Sequence, residues 1–316
     1  MTARFRLSGL GCALLLAASP VFAQTAAGPG SAAPIASAPA ARTPPPDPAL
    51  WVVRGPHATV YLFGTVHALR PDQPWRSAKV DRAFAESGAL WEEIDEGDPA
   101  GLQPLVLRLG ADPAHPLSTR LDAATLARVD ATAKAAGMPG GEKALEPMRP
   151  WLAGLTLSLL PLLKSGYAVD AGVDKKLKAE ARVAGKPLHA FETAEQQLHF
   201  FADLPQPMQL AFLRSSLDDA ADGPAKLDEM VAAWARGDVP TLARLETDDL
   251  KREAPALYDT LIVRRNAAWA RTLAEQLRGG EGGGRVIFVA VGAGHLAGPD
   301  SLQHALERQG FKAVRR

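Results

Sequence analysis

Two segments near opposite ends of the chain share one pattern, an apolar run that reaches a glycine and is followed three residues later by a histidine. Residues 61–67 read YLFGTVH, and residues 286–295 read VIFVAVGAGH. Short apolar runs bounded by glycine predict buried strands. A third run of this type, residues 89–95 (ALWEEID), ends in carboxylates. Ligands of open α/β sheets bind outside the carboxyl ends of the strands, so His67, Glu93 and His295 are predicted to meet at one site.

The order of the elements predicts an α/β fold with a central mixed sheet that is flanked and capped by many helices. Residues 51–54 and 59–63 are rich in strand-forming residues and are separated by Gly-Pro-His, which predicts a hairpin. Ser77 is the expected N-cap of an amphipathic helix that ends near Gly88. This strand–helix–strand order predicts that the strands near residues 60 and 90 pair in parallel.

Residues from about 100 to 280 are mostly helical in pattern and are predicted to form a cap over the strand ends. A short strand at 187–191 interrupts them, and Thr193 is the expected N-cap of the next helix. A second strand–helix–strand unit follows, with a helix at about 299–309 and a strand at 311–314. The predicted helices of the insertion are 122–136, 150–164, 174–184, 206–217, 224–236, 240–245 and 256–277.

The first residues carry the pattern of an export signal. Residues 1–23 combine Arg4 and Arg6, an apolar segment too short to span a bilayer, and a Val-Phe-Ala site that predicts cleavage near Ala23. Residues 24–48 are Ala/Pro-rich and are predicted to be a disordered tether, which leaves 49–316 as a single domain. We therefore expect a periplasmic or secreted protein with no transmembrane helix in its mature chain.

Composition restricts the chemistry open to the mature chain. Lys plus Arg equals Asp plus Glu at 35 each, so no basic excess points to nucleic acid. Cys12 is the only cysteine and lies within the predicted signal, so a metal site would have to use His, Asp or Glu. Two histidines and Glu93 are a donor set that suits a divalent metal such as Mn, Co or Zn. The competing interpretation places Glu93 in a solvated acidic loop with Glu92, Asp95, Glu96 and Asp98.

The motifs resemble those of the TraB/PrgY/GumN family, and of its GumN-like bacterial branch in particular. That branch is similar to the TIKI metalloproteases of animals, and more distantly to the erythromycin-esterase and ChaN-like folds. Phe191 stands where the pattern leads us to expect leucine. The resemblance spans about residues 51–316, and the matching segments are 61–67, 91–95, 147–151, 172–174, 191–197, 234–238, 265–269 and 291–298.

The resemblance implies roles for single residues. His67 and His295 would be metal-binding or catalytic histidines, with Glu93 as acidic partner and Arg265 as the arginine of the site. Arg265 also shares an apolar helix face, where a guanidinium needs a carboxylate or oxyanion partner. Glu192 is predicted either to support a ligand histidine from behind or to supply the N-terminal charge of the next helix. Asn266 is predicted to support the ligands.

The function expected from these residues is a divalent-metal-dependent hydrolase acting on peptide or protein substrates, with metal-activated water attacking a carbonyl. Arg265 would stabilise the oxyanion, and Glu93 would be either a ligand or the general base. The alternatives are a non-catalytic metal or haem binder and an accessory protein of polysaccharide export. Histidine ligands with an ordinary pKa near ~6.5 predict metal loss below about pH 6. The remaining histidines are expected to be structural or superficial: His57, His115, His189, His199 and His304.

Overall fold

The computed structural model describes residues 45–95, 99–279 and 285–316. The predicted signal peptide, most of the predicted tether, and Glu96 and Asp98 lie outside these ranges. The last residues of the predicted tether contact the domain, since the Asp47 N–H donates to the carbonyl of Ala235 at 2.7 Å and Pro48 is buried.

Six strands form one mixed sheet, in the order β4-β3-β5-β2-β1-β6. Four neighbouring strands, β4, β3, β5 and β2, run parallel, and β1 is antiparallel to both of its neighbours. The α/β class with a central mixed sheet is therefore confirmed. The strands are β1 Leu50–Arg54, β2 Ala58–Thr65, β3 Ala89–Asp95, β4 Leu188–Thr193, β5 Arg285–Gly292 and β6 Ala313–Arg315.

The hairpin prediction is confirmed, whereas the pairing of the strands near 60 and 90 is wrong. β1 and β2 pair antiparallel, with Trp51 opposite Leu62. β2 and β3 are parallel, but β5 lies between them and pairs with both. The physical reason is the composition of β5: its residues 287–291 are all buried, so the strand needs neighbours and cover on every side.

Most of the predicted helices are present, although the one predicted at 240–245 ends as an α-helix at Leu242, and the structure adds helices at 99–110 and 249–253. Thr193 forms a full capping box with Gln196, as its position predicted. Ser77 occupies the N-cap position of α1 but makes no side-chain capping bond. The helices are α1 Ala78–Glu86, α2 Pro99–Gly110, α3 Ala123–Ala135, α4 Pro150–Lys164, α5 Val173–Val183, α6 Ala194–Ala202, α7 Gln206–Asp219, α8 Gly223–Ala235, α9 Val239–Leu242, α10 Asp249–Glu253, α11 Pro255–Tyr258, α12 Arg264–Gly279 and α13 Leu302–Arg308.

Two π-helical segments interrupt the later helices. One spans Ala243–Asp248, and the other, Asp259–Val263, divides the long helix predicted at 256–277 just before Arg264. Segments of this type occur frequently at functional sites. The first segment contains Glu246, which packs against Gly294 in the turn after β5. The second precedes Arg265, which contacts His295 in the same turn.

Helices of the insertion deliver side chains to the carboxyl edge of the parallel strands. The indole N–H of Trp234, at the end of α8, donates to the carbonyl of Gly64 in β2 at 2.7 Å. The N–H of Val173, at the start of α5, donates to the carbonyl of Val66 at 2.9 Å. These bonds fix α5 and α8 relative to the turn that carries His67.

Within the described ranges, no helix is long and apolar enough to cross a membrane.

Candidate functional site

The four parallel strands present polar side chains at their shared carboxyl edge. His67 follows β2, Glu93 lies in β3, Glu192 lies in β4 and His295 follows β5. Arg265, from the start of α12, reaches into the same place and is only 5% exposed. The structure thus brings His67, Glu93 and His295 together beside Gly292, at the carboxyl edge where the sequence places them.

Arg265 connects three of these side chains. Its Nε donates to Glu192 Oε1 at 2.9 Å, and its Nη2 donates to Glu93 Oε2 at 2.8 Å and to Glu192 Oε2 at 2.9 Å. Its Nη1 donates to the carbonyl of Leu261 at 3.2 Å and contacts His295 Nε2 at 3.0 Å. These contacts engage all five N–H groups of a guanidinium. The carboxylate partners expected for Arg265 are present, and the contacts favour a positioning role over oxyanion binding.

His295 is a buried neutral imidazole. Arginine can only donate, so His295 Nε2 accepts from Arg265 and Nδ1–H donates to Asn266 Oδ1 at 2.8 Å. Burial, together with the charges of Arg265 and His67, lowers the pKa of His295 to about 3 even though Glu93 opposes this shift. Asn266 also donates to the carbonyls of His295, at 3.2 Å, and Asp300, at 2.9 Å, which fixes the turn. The supporting role predicted for Asn266 agrees with these bonds.

His67 has the opposite character. Its Nδ1 contacts Asp174 Oδ2 at 3.2 Å. Burial disfavours the imidazolium, but the charge and hydrogen bond of Asp174, with the charges of Glu93 and Glu246, raise the pKa of His67 to about 9. Because Nδ1 faces Asp174, the second nitrogen Nε2 is directed towards the site.

Glu93 is an ionised buried carboxylate. One oxygen accepts from Arg265, and the other accepts from the backbone N–H of Gly292. Burial opposes ionisation, but the positive charges of Arg265 and His67, together with the Gly292 N–H, lower the pKa of Glu93 to about 2. Glu93 and the neighbouring Glu92 are each only 6% exposed, which rules out the solvated acidic loop for these two residues.

Gly292 marks the point at which these groups converge. A methyl group on its Cα would lie 3.0 Å from Glu93 Oε1, 3.3 Å from His67 Nε2 and 3.9 Å from His295 Cδ2. Its φ of −52° is one that any residue adopts, so glycine is needed here for the close approach and not for a turn.

Glu192 does not contact a histidine. It accepts from Arg265, from the indole N–H of Trp269 at 3.0 Å and from Gln197 at 3.0 Å. Its role is to hold Arg265, which in turn holds Glu93.

The other five histidines make their contacts elsewhere, although His199 also lines the larger cavity beside Arg265. His57 is exposed. His115 contacts Asp112, His199 contacts Asp203, and His304 contacts Ser301. His189 stacks on Trp91 with ring centroids 4.9 Å apart.

Sequence reasoning missed two acidic residues that face His67, namely Asp174 and Glu246. Asp174 falls in the segment 172–174 that carried the family resemblance, so its signal was available. Glu246 sits in a stretch with no motif, and only its burial in the fold identifies it.

Two cavities adjoin the site. A small one of about 20 Å³ is lined by Thr65, His67, Glu93 and Asp174 among others, and has room for about one water molecule. A larger one of about 940 Å³ lies on the other side of Arg265, with the rings of Phe191, Phe200 and Trp269 in its wall.

The donor set fits a divalent cation in its chemistry and only partly in its arrangement. Across the described ranges, no three His, Cys, Asp or Glu side chains are already placed to hold an ion between them. His67 Nε2 and Glu93 Oε1 approach one point beside Gly292, whereas both nitrogens of His295 have hydrogen-bond partners. Such a cation would be held by His67 and Glu93, and the contacts of His295 favour a supporting role over the predicted ligand role.

The charge of the site also fits a cation. Glu93 and Glu192 pair with Arg265, and Glu93, Asp174 and Glu246 act on His67, so four carboxylates face two cationic side chains while His67 is protonated. When His67 loses its proton, Arg265 alone is left to compensate these carboxylates, and a bound cation would supply the missing positive charge.

The fold and the site together define an α/β protein with a histidine–carboxylate centre at the carboxyl ends of its parallel strands. A family profile described as the TraB/PrgY/gumN family matches residues 49–315, and the chain belongs to that family.

Two similar proteins have names that state no activity. The chain is 25% identical over 262 residues to "Uncharacterized protein YbaP" of Escherichia coli (strain K12), which covers 82% of this chain and 92% of that protein. It is 22% identical over 270 residues to an "Uncharacterized protein" of Treponema pallidum (strain Nichols), covering 80% and 78% of the two chains. No solved structure matches the chain.

Proposed function

We propose that the protein is a divalent-metal-dependent hydrolase, peptidase-like in its substrate, that works in the periplasm. The observation that carries the proposal is the approach of His67 Nε2 and Glu93 Oε1 to one point beside Gly292, in a buried site with an excess of carboxylates. The resemblance to the TIKI metalloproteases supports the peptide substrate, and the export signal predicted at residues 1–23 supports the periplasmic location.

His67 and Glu93 are the residues that would bind the ion. Asp174 orients His67 by contacting Nδ1, an arrangement that fixes a ligand histidine and raises its basicity. The chemistry supplied by a divalent cation at this position is polarisation of a carbonyl and acidification of water.

Arg265 and Glu192 support Glu93, because Arg265 donates hydrogen bonds to both carboxylates. Arg265 keeps Glu93 ionised, and Glu192 with Trp269 holds Arg265 in its rotamer. The Gly292 N–H fixes the second carboxylate oxygen. This support holds Glu93 in one position, which is what either a ligand or a general base requires.

The large cavity beside Arg265 supports a substrate of peptide size. Its volume of about 940 Å³ lies within the range of ordinary ligand sites, and its aromatic wall would accept apolar side chains. By contrast, the cavity of about 20 Å³ next to His67 is too small for a porphyrin, so haem between the two histidines is disfavoured.

The test combines metal binding with cleavage. Purified protein, stripped with a chelator, is titrated with Mn, Co or Zn and incubated with a diverse peptide library. We expect binding in the wild type, loss of binding in His67→Ala, and cleavage only with metal. Binding without cleavage across the library favours the non-catalytic metal binder, and absence of binding contradicts the proposal.

A further inference from the structure

Glu246 is a buried carboxylate that the assigned roles leave unexplained. It is 9% exposed and lies in the π-helical segment Ala243–Asp248. Within the part of the chain that the structure describes, its Oε1 has no hydrogen-bond partner. No Lys or Arg of the described residues forms an ion pair with it. The positive charge that acts on Glu246 is the imidazolium of His67, which leaves Oε1 itself without a hydrogen bond, and a buried oxygen of this kind favours a cation as its partner.

The turn after β5 accommodates this carboxylate in the same way as it accommodates Glu93. The Gly294 N–H hydrogen-bonds Glu246, as the Gly292 N–H does Glu93. A methyl group on Gly294 would lie 2.7 Å from Glu246 Oε2, and one on Gly292 would lie 3.0 Å from Glu93 Oε1. Neither glycine has a positive φ. In the Gly-Ala-Gly-His sequence, the absence of a side chain at each glycine therefore leaves room for one carboxylate to approach the backbone.

Electrostatics place Glu246 in the same centre. Burial raises its pKa to about 7 with help from the charge of Glu93, while His67 and the Gly294 N–H oppose the shift. Glu246 also raises the pKa of His67. The three side chains thus act on one another, and two of them are the residues assigned to the cation.

We propose that Glu246 is the third member of the cation site and its second carboxylate: its unpartnered Oε1 would join His67 and Glu93 when a divalent ion binds and draws together three side chains that are not yet placed around one point. This inference rests on the proposed function, since it takes the same ion as its ligand. It replaces His295, whose nitrogens are engaged, as the residue that completes the set. Nitrogen and oxygen donors of this kind suit Mn, Co or Zn.

The experiment compares Glu246→Gln with a matched control. Glutamine keeps the shape and an oxygen that accepts from the Gly294 N–H, but it removes the charge. Glu307→Gln on α13 makes the same chemical change at an exposed position with no side-chain bond in the described residues. The metal-free proteins are titrated with Mn²⁺ by calorimetry at pH 8, and each is melted with and without the ion.

We expect Glu246→Gln to weaken Mn²⁺ binding about 10–100-fold, the loss typical for groups that support a bound metal. Glu307→Gln should bind as the wild type does. Without the ion, Glu246→Gln should melt at or above the wild-type temperature, because an unpaired buried charge is gone. A merely structural carboxylate would show the reverse, a lower melting temperature with unchanged affinity.

Equal affinity in Glu246→Gln and wild type overturns the inference while leaving the proposed function in place. Absence of Mn²⁺, Co²⁺ and Zn²⁺ binding in the wild type overturns both. If the glutamine variant does not fold, Glu246→Asp serves instead: it keeps the charge, withdraws the carboxylate by one methylene, and should also weaken binding.

Discussion

Replacing Arg265 by methionine should destabilise the protein severely. Methionine fills a similar volume but leaves Glu93 and Glu192 buried without their cation, with side-chain exposures of only 7% and 10%. Removing one partner of a buried ion pair costs about 3–5 kcal/mol. Arg265 serves two carboxylates, so the expected loss lies at the upper end, about 5 kcal/mol of the free energy of unfolding.

The neighbouring residue provides the control. Arg264 precedes Arg265 on the same helix, but its side chain is 74% exposed and, among the described residues, pairs with Asp259 alone. Exposed pairs contribute about 0–1 kcal/mol, so Arg264→Met should change stability by no more than that. Both variants are measured by urea unfolding of the metal-free protein at pH 7, and the free energy is read at an unchanged m-value.

A double substitution separates charge from packing. Glu192→Gln removes one of the two stranded carboxylates, so adding it to Arg265→Met should recover part of the lost stability. If the free energy of unfolding of Arg265→Met lies within about 1 kcal/mol of that of Arg264→Met, Arg265 does not compensate two buried carboxylates.

Further predictions concern the turn after β5 and the two histidines. Gly292→Ala should lower Mn²⁺ affinity at least about tenfold, because the added methyl displaces Glu93 or His67 by a few tenths of an ångström. Gly101→Ala, where a methyl meets nothing within 4 Å, should leave the affinity unchanged, and calorimetry compares the two variants. The raised pKa of His67 means that its protonation stabilises the metal-free fold fully below pH ~6.5, and this contribution is lost as the pH rises through about 9. The difference in the free energy of unfolding between wild type and His67→Gln, measured by urea titration, should therefore shrink over that pH window. A difference that grows with pH contradicts the assigned shift. Asn266→Asp puts a negative charge against Nδ1 of His295 and should raise the pKa of that imidazole above its value of about 3, as read from ¹⁵N shifts of the ring; an unmoved titration would show that the hydrogen bond is absent.

The sequence predicts much of the fold because its signals are local. Val286–Val291 is apolar throughout, which identifies a buried strand, and Thr193 with Gln196 shows the capping box directly. No local signal specifies that β5 lies between β2 and β3, because this position depends on which strand must be buried on both faces. A strand–helix–strand pattern alone does not specify whether another strand inserts.

The same distinction holds for the site. His67, Glu93 and His295 could be predicted because each lies at the carboxyl end of a recognisable strand. The difference in pKa between the two histidines could not be predicted, because it depends on Asp174 and Arg265. Asp174 lies 107 residues from His67 in the sequence, and Arg265 lies 30 residues from His295. Glu246 has no strand or motif beside it, and it is identified by its burial and its packing against Gly294, which the fold alone shows.

The protonation of His67 alters the pH behaviour that its ordinary pKa predicts. An imidazole with a pKa of about 9 is still largely protonated at pH 8, and it must lose that proton to bind a cation. His295, with a pKa of about 3, is already neutral at pH 8 and has no imidazolium proton to release. Proton release should therefore persist well above pH 6 and involve one histidine.

Calorimetry of Mn²⁺ binding at pH 8, in buffers of different ionisation enthalpy, tests the central claim that His67 is the histidine that binds the ion. The account predicts release of about one proton per ion in the wild type and in His295→Gln, with binding lost in His67→Ala. Binding without proton release, or wild-type affinity in His67→Ala, would contradict it.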